Sequence, residues 1–480
     1  MELDFTELAL LIGTNPLPNY IALKYFTENN KNLKKIWLIC SEKNPKINQD
    51  STQEYAESLK EYFSKVNAPL NSTDDLQKLE FSEIIYINDI GSKKTIEEQL
   101  KKIAKDSNSR KLHLFFTGGS KAMSAYSYYY LKEKFKNKFS ASYLSARDWK
   151  IIFDGEENIT ESIADKIKIN FDYLAKMHRF KIAENSENHA CISIKSEDFT
   201  DIIIKQFIEI IESEKIGEFY SKSGGYNRNI FKPDGKCKIM QQIFKNITKE
   251  DSNILKAAAD VSAQCLKEEE NRLKSTEDKS KFNEKVNIFK KILNYRPNET
   301  FMKVMESFPE DCRIYYYDDS KNINFQTEIG YKRYNDIVKF LDGFWFEQYV
   351  CKVIENNLKN NFDEILSNQI LYRKSDAQSN NFELDIVLLK GCQLIGISCT
   401  TAENKHLCKE KGFEIILRTK QIGGAEAKAI LITGAEKEIV EKLQAELILE
   451  SGTVKKNIIV IGKDDWRECA LKEKIQEFIN

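Results

Sequence analysis

Short apolar runs alternate with helical patterns through the first part of the chain. Leu8–Gly13, Lys35–Cys40, Glu83–Asn88 and Lys111–Phe116 are compact runs of aliphatic and aromatic residues, separated by longer segments in which polar residues recur at helical spacing. Continuous apolar strands alternating with helices predict βαβ units and a parallel sheet covered on both faces. Two further strands, Ser140–Tyr143 and Lys150–Asp154, complete that sheet and set a first boundary near residue 155. Residues 156–334 read as mostly helical, with Ile159–His178 and Thr200–Lys215 as amphipathic stretches and Ser223-Gly224-Gly225 as punctuation. The run from Lys267 to Lys291 mixes Glu and Lys densely and reads as a solvated helix face. In residues 335–480 the pattern predicts a helix at Asn335–Asn357, strands at Glu383–Leu389 and Leu394–Cys399 joined by a tight turn, and a helix at His406–Gln421. Gly423-Gly424 stops that helix, and a strand follows at Lys428–Ile432. The expected class is α/β: a parallel Rossmann-like sheet (1–155), a helical middle region (156–334) and a second, compact α/β unit (335–480).

Composition narrows the functional classes only a little. The 480 residues are 41% hydrophobic and 31% charged, with a formal net charge of −1, so any surface for a polyanion must be local. Ten cysteines are scattered from Cys40 to Cys469 without a Cys-x-x-Cys pair, and there are four histidines, which argues against a zinc cluster and for buried, reduced thiols. The first residues are acidic and no apolar run approaches the ~20 residues that span a bilayer, so a cytoplasmic protein is expected.

The most informative local chemistry is Leu112-His113-Leu114-Phe115-Phe116-Thr117-Gly118-Gly119-Ser120-Lys121-Ala122-Met123, a strand running into paired glycines, a hydroxyl, a lysine and a new helix. Glycines bring backbone N–H groups close to an anion and the helix N-terminus adds donors and a positive dipole end. The spacing of a Walker A loop is absent, so phosphate holding is expected here without ATP hydrolysis. Together with the loop Gly13-Thr14-Asn15-Pro16 after the first strand, this segment resembles the CRISPR-associated Rossmann-fold (CARF) sensor family over roughly the first 150 residues. The resemblance implies a homodimer whose shared cleft binds a cyclic oligoadenylate such as cyclic tetra-adenylate. By position, it implies that Thr14, Asn15, Thr117, Gly118, Gly119, Ser120 and Lys121 contact that ligand.

In the third part, Glu383-Leu384-Asp385-Ile386-Val387-Leu388-Leu389, a turn and Leu394-Ile395-Gly396-Ile397-Ser398-Cys399-Thr400-Thr401 resemble the catalytic hairpin of the PD-(D/E)xK, restriction-endonuclease-like superfamily. Trp345-Phe346-Glu347 upstream and Leu417–Gly424 downstream extend the likeness to the nuclease half of CARF-nuclease fusions. The resemblance implies a divalent metal, Mg²⁺ or Mn²⁺, held by Asp385 and Glu347, with Glu383 and Gln421 as further catalytic candidates. It also exposes a departure: Ser398 stands where the family has glutamate and Thr400 where it has lysine, so neither a second strand carboxylate nor a cation is supplied there. Glu383 or Glu347 could complete the shell, and Lys405, Lys409 or Lys411 could reach back from the following helix. Cys399 and Cys408, on or near apolar positions, read as packed thiols and not as nucleophiles.

The reading that follows is a messenger-switched effector of type III CRISPR immunity, a metal-dependent nuclease acting on DNA or RNA. The alternative is a messenger-binding regulator whose degenerate nuclease-like domain holds nucleic acid or a partner. A third reading, an ordinary nucleotide-binding module, predicts a mononucleotide pocket inside one subunit.

Overall fold

The computed structural model describes residues 3–66, 79–106, 110–145, 147–155, 159–164, 166–183, 197–231, 291–292, 294–326, 329, 331–373 and 381–479. The charged run Lys267–Lys291 lies outside them except for Lys291 itself.

In the first unit the strands are β1 (Glu7–Leu11), β2 (Lys35–Ser41), β3 (Glu80–Phe81), β4 (Ile85–Ile87), β5 (Leu112–Phe115), β6 (Phe139–Ser145) and β7 (Lys150–Phe153). Between them lie α1 (Leu17–Asn29), α2 (Gln53–Val66), α3 (Lys93–Asp106) and α4 (Lys121–Phe135). The order is β3-β2-β1-β5-β6-β7, with β4 also beside β2, parallel throughout except for the last pair. β1 has all five residues buried and β5 all four, as two-sided cover requires. Strand order reverses between β1 and β5. Their carboxyl ends are therefore neighbours at the point where open α/β sheets bind ligands, and the loops carrying Thr14-Asn15 and Thr117–Lys121 come together there.

The second sheet is built from β8 (Lys181–Ile182), β11 (Glu364–Tyr372), β12 (Asn381–Lys390), β13 (Gln393–Thr400), β14 (Lys428–Thr433) and β15 (Ile458–Ile461), in the order β15-β14-β13-β12-β11-β8. A small hairpin, β9 (Tyr315–Tyr317) with β10 (Ile323–Phe325), precedes it. Its helices, with those of the middle region, are α5 (Phe171–Met177), α6 (Glu197–Glu212), α7 (Glu299–Ser307), α8 (Tyr331–Lys339), α9 (Trp345–Leu358), α10 (Lys405–Gly423), α11 (Lys437–Ser451) and α12 (Glu468–Ile479). Two apolar cores flank this sheet. One joins it to the middle helices through Phe207, Phe219, Trp345 and Trp466, and the other is continuous with the first unit through Ile163, Ile167 and Leu174.

Three expectations change. Ile159–His178 forms a helix only at α5, capped by the Asn170 side chain accepting from the Tyr173 N–H at 2.9 Å. Ile163 and Ile167 are spaced as on a helix, but with Ile169 they are buried, outside any helix, in the core shared by the two sheets. The helix expected over Asn335–Asn357 is broken by a π-turn at Phe340–Phe344, where Gly343 leaves helical geometry. Finally, β11 lay unread before the hairpin. No helix among the described residues is long and apolar enough to cross a membrane.

Candidate functional site

β12 and β13 pair as far as Ile386 and Ile397, and the ladder stops there. Beyond it the Cys399 N–H donates to Asp385 Oδ2 at 2.7 Å, and the Ser398 hydroxyl donates to the same oxygen at 3.1 Å. The parted strands thus leave a carboxylate where the next rung would be. Ser398, which replaces the expected glutamate, orients Asp385. Glu383 lies two residues earlier and so on the same face of β12.

Glu347 is delivered by aromatic packing. Trp345 stacks on Phe207 with ring centres 3.9 Å apart and donates its indole N–H to the Tyr220 hydroxyl at 2.8 Å, while Phe346 packs on Trp466 at 4.1 Å. With those rings pinned in the core, the first turn of α9 aims Glu347 at β12. Glu347, Glu383, Asp385, Thr400 and Lys411 line one open cavity of about 970 Å³.

The electrostatics of this cavity are unusual. Burial, then the charges of Asp385 and Glu383, push the Glu347 carboxyl well above the ordinary range, and Lys411 pulls it down. Burial raises Asp385 to about 6, opposed by the Cys399 N–H, Lys411 and the Ser398 hydroxyl and assisted by Glu383. Lys411 is the one of the three candidate lysines that faces this cavity. Lys405 is engaged by Glu446 at 2.5 Å, and Lys409 by Glu446 and Glu450 at 3.0 and 2.7 Å, all on α11. Gln421 is also elsewhere, its Oε1 accepting from Arg418 at 3.3 Å. Thr400 accepts from the Ala402 N–H at 3.2 Å in the turn that leaves β13. Cys399 is buried, and burial followed by the neighbouring Asp385 and Glu347 holds its thiol protonated.

At the switch point of the first sheet, Gly118 has no room for a side chain, since a Cβ would run into the Leu11 carbonyl, and Gly119 has φ +76°. The two hydroxyls are spoken for: Thr117 accepts from the Leu144 N–H at 2.6 Å, and Ser120 caps α4 by accepting from the Met123 N–H at 3.1 Å. Thr14 and Lys121 are exposed. Asn15 is structural on one side, its Oδ1 accepting from the Leu17 N–H at 3.1 Å and facing His178 Nε2 at 3.2 Å. The other ring nitrogen of His178 faces the Leu174 carbonyl at 2.9 Å, so a neutral imidazole has one proton for two acceptors.

No family model matches the sequence, and no curated protein sequence matches it. Solved structures do match over the whole chain. Protein VC1899 from Vibrio cholerae superposes with a TM-score of 0.56 at 12% identity, covering 98% of this chain and 97% of that one. Can2 from Sulfobacillus thermosulfidooxidans, solved in complex with cyclic tetra-adenylate, gives 0.54 at 12% identity, covering 99% of each. This chain shares its fold with Can2. The α/β fold expected from the sequence, a Rossmann-like sheet followed by a second α/β unit, is therefore shared with Can2 from end to end.

Sequence reasoning missed Tyr220, Lys222, Arg228 and Lys339, which also line the cavity. The one available signal was Ser223-Gly224-Gly225, which turns the chain between Tyr220 and Arg228.

Proposed function

We propose that the chain is a cyclic-oligoadenylate-responsive effector of type III CRISPR defence whose C-terminal unit is a metal-dependent nuclease. The observation that carries the reading is the convergence of Glu347, Glu383 and Asp385 in one cavity, with Lys411 as the cation acting on the two buried carboxylates. Two buried carboxylates whose proton affinity is raised by burial and by neighbouring carboxylates form a site that a cation relieves. Among the described residues no group of three or more His, Cys, Asp or Glu is arranged as a complete metal cage. A site of two carboxylates suits Mg²⁺ or Mn²⁺ nonetheless, because Mg²⁺ ordinarily keeps waters and takes substrate phosphate oxygens as ligands. Asp385 and Glu347 would hold it, and the metal would supply a water of lowered pKa. Lys411 takes the role that Thr400 leaves empty, orienting that water or the phosphate.

The messenger half of the proposal rests on the exposed Thr14 and Lys121 at the switch point and on the shared fold with Can2, which binds cyclic tetra-adenylate. The ligand would lie in a cleft between two copies, and the homodimer would rearrange to bring the nuclease units into a competent state on DNA or RNA.

The test is cleavage of labelled single- and double-stranded DNA and RNA with Mg²⁺ or Mn²⁺, with and without cyclic tetra-adenylate. We expect messenger-dependent cleavage that Asp385→Ala abolishes and Lys411→Ala lowers by about 100-fold or more. A second reading is favoured by Ser398 and Thr400 themselves: a regulator that binds nucleic acid or a partner without cutting. Tight messenger binding with no cleavage under any of these conditions would select it.

A further inference from the structure

Part of the cavity lining comes from the middle region. A short helix, Ile216–Phe219, leads into a turn ending at Arg228, and this segment is fastened to the α8–α9 junction at several points. The Tyr220 hydroxyl donates to the Leu341 carbonyl at 3.3 Å, the Tyr226 hydroxyl to the Val338 carbonyl at 3.2 Å, and Arg228 pairs with Asp342 at 3.1 Å. Asp342 is in turn tied to the turn that leaves β13, its carbonyl accepting from the Thr401 hydroxyl at 3.1 Å. The π-turn at Phe340–Phe344 is thus the common anchor of Arg228 and of the start of α9, which carries Glu347. Lys222, Arg228 and Lys339 line the same cavity as Glu347, Glu383 and Asp385.

The lining of this cavity carries charges of both signs. Lys222 and Lys339 are exposed, and among the described residues neither has an ion-pair partner; Arg228 is 60% exposed although Asp342 fixes its direction. A protein with a net charge of −1 holds a polyanion only where cations are gathered locally. Carboxylates suited to a metal and exposed cations in the same cavity meet the two demands of a phosphodiester strand: one phosphate at the metal, its neighbours against positive charge.

We infer that Lys222 and Arg228 grip the phosphodiester backbone of the nucleic-acid strand flanking the cleaved bond, with Asp342 as the positioning residue for Arg228. The middle region is then part of the substrate channel. This rests on the nuclease reading above.

The test uses the full-length protein with cyclic tetra-adenylate and Ca²⁺ in place of Mg²⁺, so that a labelled single strand of DNA or RNA is bound without being cut. Lys222→Ala and Arg228→Ala should each weaken binding by about 5- to 10-fold and reduce the salt slope of log Kd by about one unit between roughly 50 and 200 mM salt. Lys222→Arg should restore both, and in Mg²⁺ the alanine variants should raise KM with kcat nearly unchanged. Unchanged affinity and salt slope in variants of a protein that does bind and cut strands would overturn the grip alone. So would a fall in kcat at constant KM. A wild-type protein that neither binds nor cuts any strand would overturn both the grip and the nuclease reading.

Discussion

The side-chain amide of Asn15 lies against Gly424, so closely that a Cβ at Gly424 would overlap it. Asn15 belongs to the loop after β1, at the proposed messenger cleft. Gly424 ends α10, with φ +75° and its N–H donating to the Lys420 carbonyl at 3.0 Å. The same helix carries Lys411. At 1.5 Å rise per residue its 19 residues form a rod of about 28 Å. A displacement of Asn15 on ligand binding therefore has a stiff element to act on, with the proposed catalytic cation partway along it. We predict that Gly424→Ala, strained by its positive φ and by the Asn15 contact, lowers stability by about 1–2 kcal/mol. It should leave cyclic tetra-adenylate affinity within a few-fold of wild type while reducing messenger-stimulated cleavage. Calorimetric binding and cleavage assays on one preparation would separate the two, and full stimulation in the variant would exclude this contact as a route of coupling.

Asp385 is stabilised by two donors yet buried beside Glu347, so its charge is a burden to the metal-free fold. Asp385→Asn keeps an acceptor for the Cys399 N–H while removing that charge. The variant should unfold at higher denaturant concentration than wild type in EDTA, by about 1–2 kcal/mol. Saturating Mg²⁺ or Mn²⁺ should reverse the order, because a cation that binds only the folded wild type adds about 2.7 kcal/mol at 100 times its Kd. Equal metal effects on both proteins would remove Asp385 from the ligand set.

Much of this arrangement was legible before any coordinates. The apolar runs of β1, β2 and β5 mark a two-sided parallel sheet, and the glycine-lysine loop at 117–121 needs no partner to be recognised, since its chemistry is contiguous. Asp385 and Glu347 were readable for the same reason, each sitting in a local motif. What stayed hidden depends on distance in sequence. Nothing local distinguishes Lys411 from Lys405 and Lys409; the difference is that Glu446 and Glu450 of α11 engage the other two. Lys222 and Arg228 reach the cavity because Tyr220 docks on the π-turn and Tyr226 on the end of α8, over a hundred residues away. β11 escaped notice because six of its nine residues are only partly buried, which blurs the alternation expected of a strand.

Two buried histidines set an acid limit on the fold. His113 has both ring nitrogens 2.7 Å from the hydroxyls of Ser140 and Ser142 and stacks on Phe5, and burial lowers it to about 3. Burial likewise lowers His178 to about 4, the Leu174 carbonyl opposing and Arg373 assisting. The unfolded chain takes up these protons near pH 6.5, which the folded chain does not do until far lower. Stability is thus fully present above about pH 6.5 and falls as pH drops towards 4, by up to about 1.4 kcal/mol per pH unit for each histidine. Urea unfolding across this window should show the decline, and His113→Gln should flatten it. An identical slope in that variant would refute the assignment.

Lys121 and Gly118, three residues apart, should fail in opposite ways. Gly118 touches the Leu11 backbone, so Gly118→Ala must part β1 from β5 at the switch point, and we expect a loss of at least about 3 kcal/mol with poor recovery of folded protein. Lys121 is exposed at the first position of α4, and among the described residues it has no ion-pair partner. Lys121→Ala should change stability by no more than about 0.5 kcal/mol. If Lys121 meets a messenger phosphate, the lost charge-assisted contact amounts to about 1.5–3 kcal/mol, so the Kd for cyclic tetra-adenylate should rise by at least 10-fold. Calorimetric titration of the folded variant reads this directly. An unchanged Kd would mean that the backbone of the glycine turn holds the ligand without the lysine, or that the ligand lies elsewhere; titrating Thr14→Ala alongside tells these apart, because only a ligand at this switch point would feel the loss of that exposed hydroxyl.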